Sequence, residues 1–169
     1  SIGYFEVRYH ENCHFEDDGY VNDGGFFRPE GTVLIGVPDN YIPCAEVRTS
    51  EGFAEAIGYV DPVFLRICPR HDSCVTVRDD LTLGEGVQLS IEGNSGIIVE
   101  HGATFTVSRN AYVDNHGDVT VFGDLIIEGN FWSDRGVEVG AVTGSEEANI
   151  FIRGNGYLET RGGNPVAVY

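Results

Sequence analysis

The sequence predicts an all-β protein: a short parallel β-helix of about four to five turns, fronted by a disulfide-tied, mostly β cap. Three observations predict it. From residue 75 onward, strand-like segments follow one another at a step of about seven residues, too short for ordinary hairpins with loops. Gly, Asn or Asp stands at nearly every junction between them. And one signature recurs: "IEGN" at 91–94 and 127–130, "IRGN" at 152–155, and a looser "VSRN" at 107–110.

The 169 residues divide near 74/75 into a cap or assembly region, 1–74, and the β-helix, 75–169. The first holds all four cysteines and five of the six prolines, and the second holds 15 of the 23 glycines. Within the first region, "YFEVRYH" alternates Phe5, Val7 and Tyr9 against Glu6, Arg8 and His10, the period of a half-buried strand. "TVLIGV" (32–37) is a continuous apolar run that suits a buried strand. "TSEGFAEAIGYV" sets Phe53, Ala56, Ile57 and Val60 at helical spacing, with Thr49 or Ser50 as the N-cap, so one short helix is expected.

In the second region the expected strands are "VTV", "LTL", "VQLSI", "GIIVE", "TFTVS", "AYVDN", "VTVF", "DLIIE", "FWS", "VEVGAV", "NIFIR", "YLET" and "VAVY". No helix-length segment interrupts them, which excludes βαβ crossovers. Aligned on Asn94, Asn110, Asn130 and Asn155, the repeats lie 16, 20 and 25 residues apart, within the range of solenoid turns. Gly and Asn suit the corners because both tolerate positive φ. "VEVGAVTGSEEA" (137–148) reads as a loop or enlarged turn. A single turn cannot bury its own apolar face, so stability is shared between neighbours, and the uncapped end of a stack exposes strand edges.

On "VTVFGDLIIEGN" and "ATFTVSRN", residues 75–169 resemble the β-solenoids of bacterial adhesins and bactofilins. The resemblance implies the coiled architecture and carries no site residues.

Composition narrows the function. There are 27 acidic residues against 10 basic ones, all Arg, for a formal charge of −17. The charge is spread along the chain, so nucleic acid and anionic membrane surfaces are unfavourable partners. No apolar run reaches spanning length, and no membrane insertion is expected. Without Lys, no Schiff base or Lys general base can operate. The absence of Met and the start at "SIGYFEV" suggest a mature chain whose leader has been removed.

Cys13, Cys44, Cys68 and Cys74 read as two disulfides in a secreted, extracellular, cell-surface protein, with Cys68–Cys74 and Cys13–Cys44 the favoured pairing. The rival reading is a metal site on "HENCH" and "CPRHDSC", which lack CxxC spacing. "EDDGYVNDGG" (16–25) gathers Glu16, Asp17, Asp18, Asn22 and Asp23 as a Ca²⁺ candidate, although their spacing matches no EF-hand loop and a solvated acidic turn is the preferred reading. No other cofactor is expected. No GxSxG, P-loop or GxGxxG appears. The acid pairs Asp17–Asp18, Asp79–Asp80 and Glu146–Glu147 are expected by chance in so acidic a chain. No enzyme is expected, and a polysaccharide-active β-helix is the third reading. His101 and His116 read as corner residues. Scattered Thr rule out the flat array that ice binding needs.

The leading expectation is a secreted structural protein that self-assembles end to end into a filament or surface layer, with itself as partner. Tyr4, Phe5, Val7 and Tyr9 at one end and Val166, Val168 and Tyr169 at the other form the expected interface. The alternative is a glycan-binding adhesion module that meets cell-surface glycans through Phe131 and Trp132.

Overall fold

A computed structural model describes residues 5–11, 41–47, 49–58, 64–67, 74–140, 147–161 and 166–168. The chain is a parallel β-solenoid of about four turns. The elements are β1 (Phe5–Glu11), β2 (Tyr41–Val47), α1 (Ser50–Gly58), β3 (Phe64–Ile67), β4 (Cys74–Val77), β5 (Leu81–Leu83), β6 (Gln88–Ile91), β7 (Gly96–Val99) and β8 (Thr104–Val107). They continue with β9 (Tyr112–Asn115), β10 (Asp118–Val121), β11 (Asp124–Ile127), β12 (Asn130–Ser133), β13 (Val137–Val139), β14 (Asn149–Ile152), β15 (Tyr157–Thr160) and β16 (Val166–Val168). All thirteen strands expected after residue 74 are present.

Each coil contributes one strand to each of three sheets. Sheet A runs β1-β2-β3-β6-β9-β12-β15, sheet B β16-β13-β10-β7-β4, and sheet C β14-β11-β8-β5. Every pairing is parallel except β1 with β2. The parallel stack therefore reaches back across the 74/75 boundary through β3 and β2. The Cys- and Pro-rich composition there thus does not mark the start of the stacking.

Alternation decides which side chains fill the coil. Leu65, Leu89, Val113 and Phe131 form one buried column of sheet A; Val75, Ile97, Val119 and Val137 form one of sheet B. Leu83, Val107 and Ile127 do the same in sheet C. Burying a Leu, Ile or Phe contributes about 1.5–3 kcal/mol each, so the columns are the main source of cohesion between coils.

The corners follow two rules. In the second coil each four-residue strand is followed by a four-residue corner: 92–95, 100–103 and 108–111. Each corner is a turn closed by its last amide on its first carbonyl, Ser95 N to Glu92 O at 3.0 Å, Ala103 N to Glu100 O at 3.0 Å and Ala111 N to Ser108 O at 2.9 Å. In the third coil the corners shrink to two residues ending in glycine: His116–Gly117, Phe122–Gly123 and Glu128–Gly129. These short corners cut across the wider turns below. A Cβ at Gly117, Gly123 or Gly129 would overlap the carbonyl oxygens of Ser95, Ala103 and Ala111 respectively.

The recurring signature does mark corners, but in two columns. "VSRN", the second "IEGN" and "IRGN" stack between sheets C and A, in register through Val107, Ile127 and Ile152. The first "IEGN" lies between sheets A and B, after β6. Of the four Asn, only Asn110 has positive φ (60°), and Asn130 is the first residue of β12. Asn94, Asn110 and Asn155 are thus turn residues, and of these only Asn110 has left-handed backbone.

One end of the stack is closed by α1. Thr49 is its N-cap, its Oγ1 accepting from Gly52 N at 3.0 Å. Phe53 and Ala56 are buried against the first coils, with the Phe53 ring 6.0 Å from that of Phe105. Ser50 Oγ accepts from Thr76 N at 2.7 Å, satisfying an amide on the edge strand β4. The cap is therefore held by packing and hydrogen bonds. No disulfide is found among the described residues, where Cys74 is a free thiol. Cys44 lies on β2 opposite Phe64, and Cys13 and Cys68 fall outside the described residues, as do "TVLIGV" and Val60.

Candidate functional site

Two surfaces stand out: the outer face of sheet A, and the rim of the last coil.

Period-two alternation separates the expected aromatic pair. Phe131 points inward and is buried in the core, whereas Trp132 points outward. Register then builds an aromatic group around Trp132. Tyr112 and Tyr157 both align with Asn130, one coil below and one above, and Trp132 lies beside that row. Its ring centroid is 6.0 Å from that of Tyr112 and 5.8 Å from that of Tyr157, with interplanar angles of 35° and 56°. The Arg161 guanidinium sits 4.2 Å above the Trp132 ring, a cation–π geometry. Trp132 Nε1 is buried without a hydrogen-bond partner.

Charged groups border the aromatics. His116 lies between two carboxylates, with Nδ1 2.5 Å from Asp134 Oδ2 and Nε2 3.2 Å from Asp114 Oδ2. Burial alone would lower the imidazole pKa, but Asp114 and Asp134 outweigh it and the net shift is upward. His116 is thus more than the bare corner residue that the sequence suggests, because it clamps the third coil to the fourth. Tyr157 donates to Glu159 Oε2 at 2.6 Å, and this bond to the carboxylate raises the phenol pKa. The Tyr112 pKa rises through burial and the nearby Asp114, against Arg161.

Beneath this face lies a polar step in the core. Asn115 and Ser133 are both buried, in a column where the coils below carry Ile67 and Ile91. Asn115 Nδ2 donates to Gly117 O (2.9 Å) and Ser133 Oγ (2.8 Å), and its Oδ1 accepts from Gly117 N (3.0 Å). Ser133 in turn donates to Arg135 O. Every polar atom is satisfied, so the step costs little and holds the shortened corners above the clamp. Sequence reasoning missed it; the signal was a polar residue at an inward position of "AYVDN".

The rim is the second surface. β14, β15 and β16 are the terminal strands of their sheets, each with one edge unpaired among the described residues. Val168 is 75% exposed, Ile152 53% and Val166 38%, whereas their counterparts one coil earlier are buried. Phe151 and Tyr157 are exposed beside them. The expected interface residues Phe5, Val7 and Tyr9 lie on β1, the opposite edge of sheet A, and Tyr4 and Tyr169 fall outside the described residues.

The other candidates resolve as follows. No group of three or more His, Cys, Asp or Glu is placed to hold a metal among the described residues. Glu16, Asp17, Asp18, Asn22 and Asp23 lie outside them, as does Glu146. Asp79 is exposed, and Asp80 accepts from Thr104 N at 2.9 Å, tying two coils together. The Cys74 thiol is packed against Gly96, and burial, with Asp118, pushes its pKa up, which makes it a poor nucleophile. No described helix is long and apolar enough to cross a membrane.

No protein-family model, curated protein or solved structure matches this chain.

Proposed function

We propose that the chain is a structural β-solenoid that associates with copies of itself through its last coil, in an extracellular setting. The observation that carries this reading is the rim: three adjacent strand edges unpaired among the described residues, with Ile152, Val166 and Val168 exposed at positions that the earlier described coils bury. Bare edges bearing apolar side chains template further strand pairing. Charge agrees. Residues 149–169 carry two Arg against one Glu, a slightly positive stretch in a chain of −17. Copies that repel elsewhere can approach there.

Because α1 closes the first end, the rim of one copy meets most simply the rim of another, giving a closed pair. An endless filament would have to grow through sheet A alone, from β15 onto the edge of β1 that is unpaired among the described residues. Light scattering after size exclusion, with electron microscopy, tests the reading. Dimers that Val168→Lys with Ile152→Lys converts to monomers of unchanged circular dichroism are expected. Filaments would shift the contact to β1, and a monomer at every concentration would remove the reading.

A further inference from the structure

We propose that the outer face of sheet A around Trp132 is a binding site for a neutral, extended, β-linked glycan. The face lies on the side of the stack and crosses three strands of sheet A, with Tyr157 and Glu159 on β15 at its upper end. The aromatic group has the composition that sugar recognition needs. Pyranose rings whose substituents are all equatorial present a flat C–H face, which packs on an aromatic ring, while their hydroxyls point outward in the ring plane. Tyr157, 46% exposed, and Tyr112, half-buried, supply rings to either side of Trp132. They sit two coils apart, about 10 Å at the inter-strand spacing of a sheet, a separation that suits alternate sugars of an extended chain laid along the solenoid axis.

The border supplies the hydrogen bonds. Glu159 and Asp114 accept from hydroxyls, and both are already oriented, Glu159 by the Tyr157 hydroxyl and Asp114 by His116. Arg161 is held over Trp132 and offers a donor at the same height. Pre-set side chains reduce the ordering cost of binding. The ligand class follows from charge. The face mixes both signs, so it holds no cationic patch for uronates or sulfates, and the net −17 of the chain repels them. An aromatic ladder that served only to join coils would need neither the exposure of Tyr157 nor this rim of fixed polar groups.

Trp132 is the single tryptophan of the chain, so its emission reports on the site directly. Cellohexaose and chitohexaose are titrated in turn, with an oligoguluronate as the anionic control. We expect a saturable change in Trp132 emission with at least one neutral hexasaccharide and none with the oligoguluronate. Tyr157→Ala and Tyr112→Ala should each weaken binding about tenfold or more, the equivalent of one lost favourable contact. Glu51→Gln, on α1, should leave it unchanged. The proposal is overturned if neither neutral sugar gives saturation, or if the oligoguluronate binds as well. It also fails if the Tyr variants lower the melting temperature while leaving affinity intact, which would make the group a purely structural ladder.

Discussion

At Gly123 the third coil passes so close to the carbonyls of Ala103 and Glu100 that no β-carbon fits, whereas Gly86 faces open space and is singled out only by a φ of +80°. The two glycines therefore predict different costs. Gly123→Ala must push two coils apart and should lose about 3 kcal/mol, near the upper range for overpacking. Gly86→Ala incurs only left-handed strain, about 1 kcal/mol. Paired denaturant melts check this, and equal losses would contradict the close-approach argument. His116 adds a pH dependence. Its folded pKa is raised, so the stability it contributes is fully present below the unfolded value of about 6.5 and is lost as pH rises through the folded value. His116→Gln should then melt below the unaltered protein at about pH 5 and converge with it at about pH 9. A gap that persisted at alkaline pH would mean that His116 acts by packing alone.

At the scale of elements, the strands were the most legible part of the sequence. Each β-branched or aromatic run from "VTV" to "VAVY" became a strand because nothing but turn residues separated one from the next. Coil length was less legible. Alignment on Asn hid the regularity of four-residue strands joined by four-residue corners in the second coil and two-residue corners in the third. Asn110 and Asn155 are turn residues between sheets C and A, Asn94 is one between sheets A and B, and Asn130 opens a strand. The trio of Tyr112, Trp132 and Tyr157 depended on that hidden register, so the sequence offered Trp132 without its neighbours. The inward turn of Phe131, in contrast, follows from alternation alone. For β2 and β3, a Cys- and Pro-rich composition masked parallel stacking, because composition says little about strand pairing. The helix was foreseen from Thr49, Phe53 and Ala56, while its role in closing the stack depended on where β4 lay.

For the whole molecule, the governing quantity is a charge of −17 on 169 residues. Cohesion along the axis comes from aliphatic columns that salt hardly affects, while repulsion between acidic coils is long-ranged and screened. At about 0.05 M salt the Debye length exceeds 10 Å, about two coil spacings, and at about 0.5 M it falls below one. Ion pairs between coils, such as Arg66–Glu92 at 2.7 Å and Arg135–Asp118 at 3.1 Å, weaken over the same range. With ten Arg against 27 acids, most carboxylates have no Arg to pair with, so relief of repulsion should win. The melting temperature is expected to rise by a few degrees between these salt concentrations, about what 1 kcal/mol produces in a domain of this size. The Val168→Lys, Ile152→Lys double variant should rise by the same amount, since the effect belongs to the body of the coil. Calcium chloride at matched ionic strength separates general screening from a dedicated site: an extra rise would point to the acidic sequence at 16–23, and an equal rise to screening alone. A melting temperature that fell with salt would mean that the inter-coil ion pairs dominate.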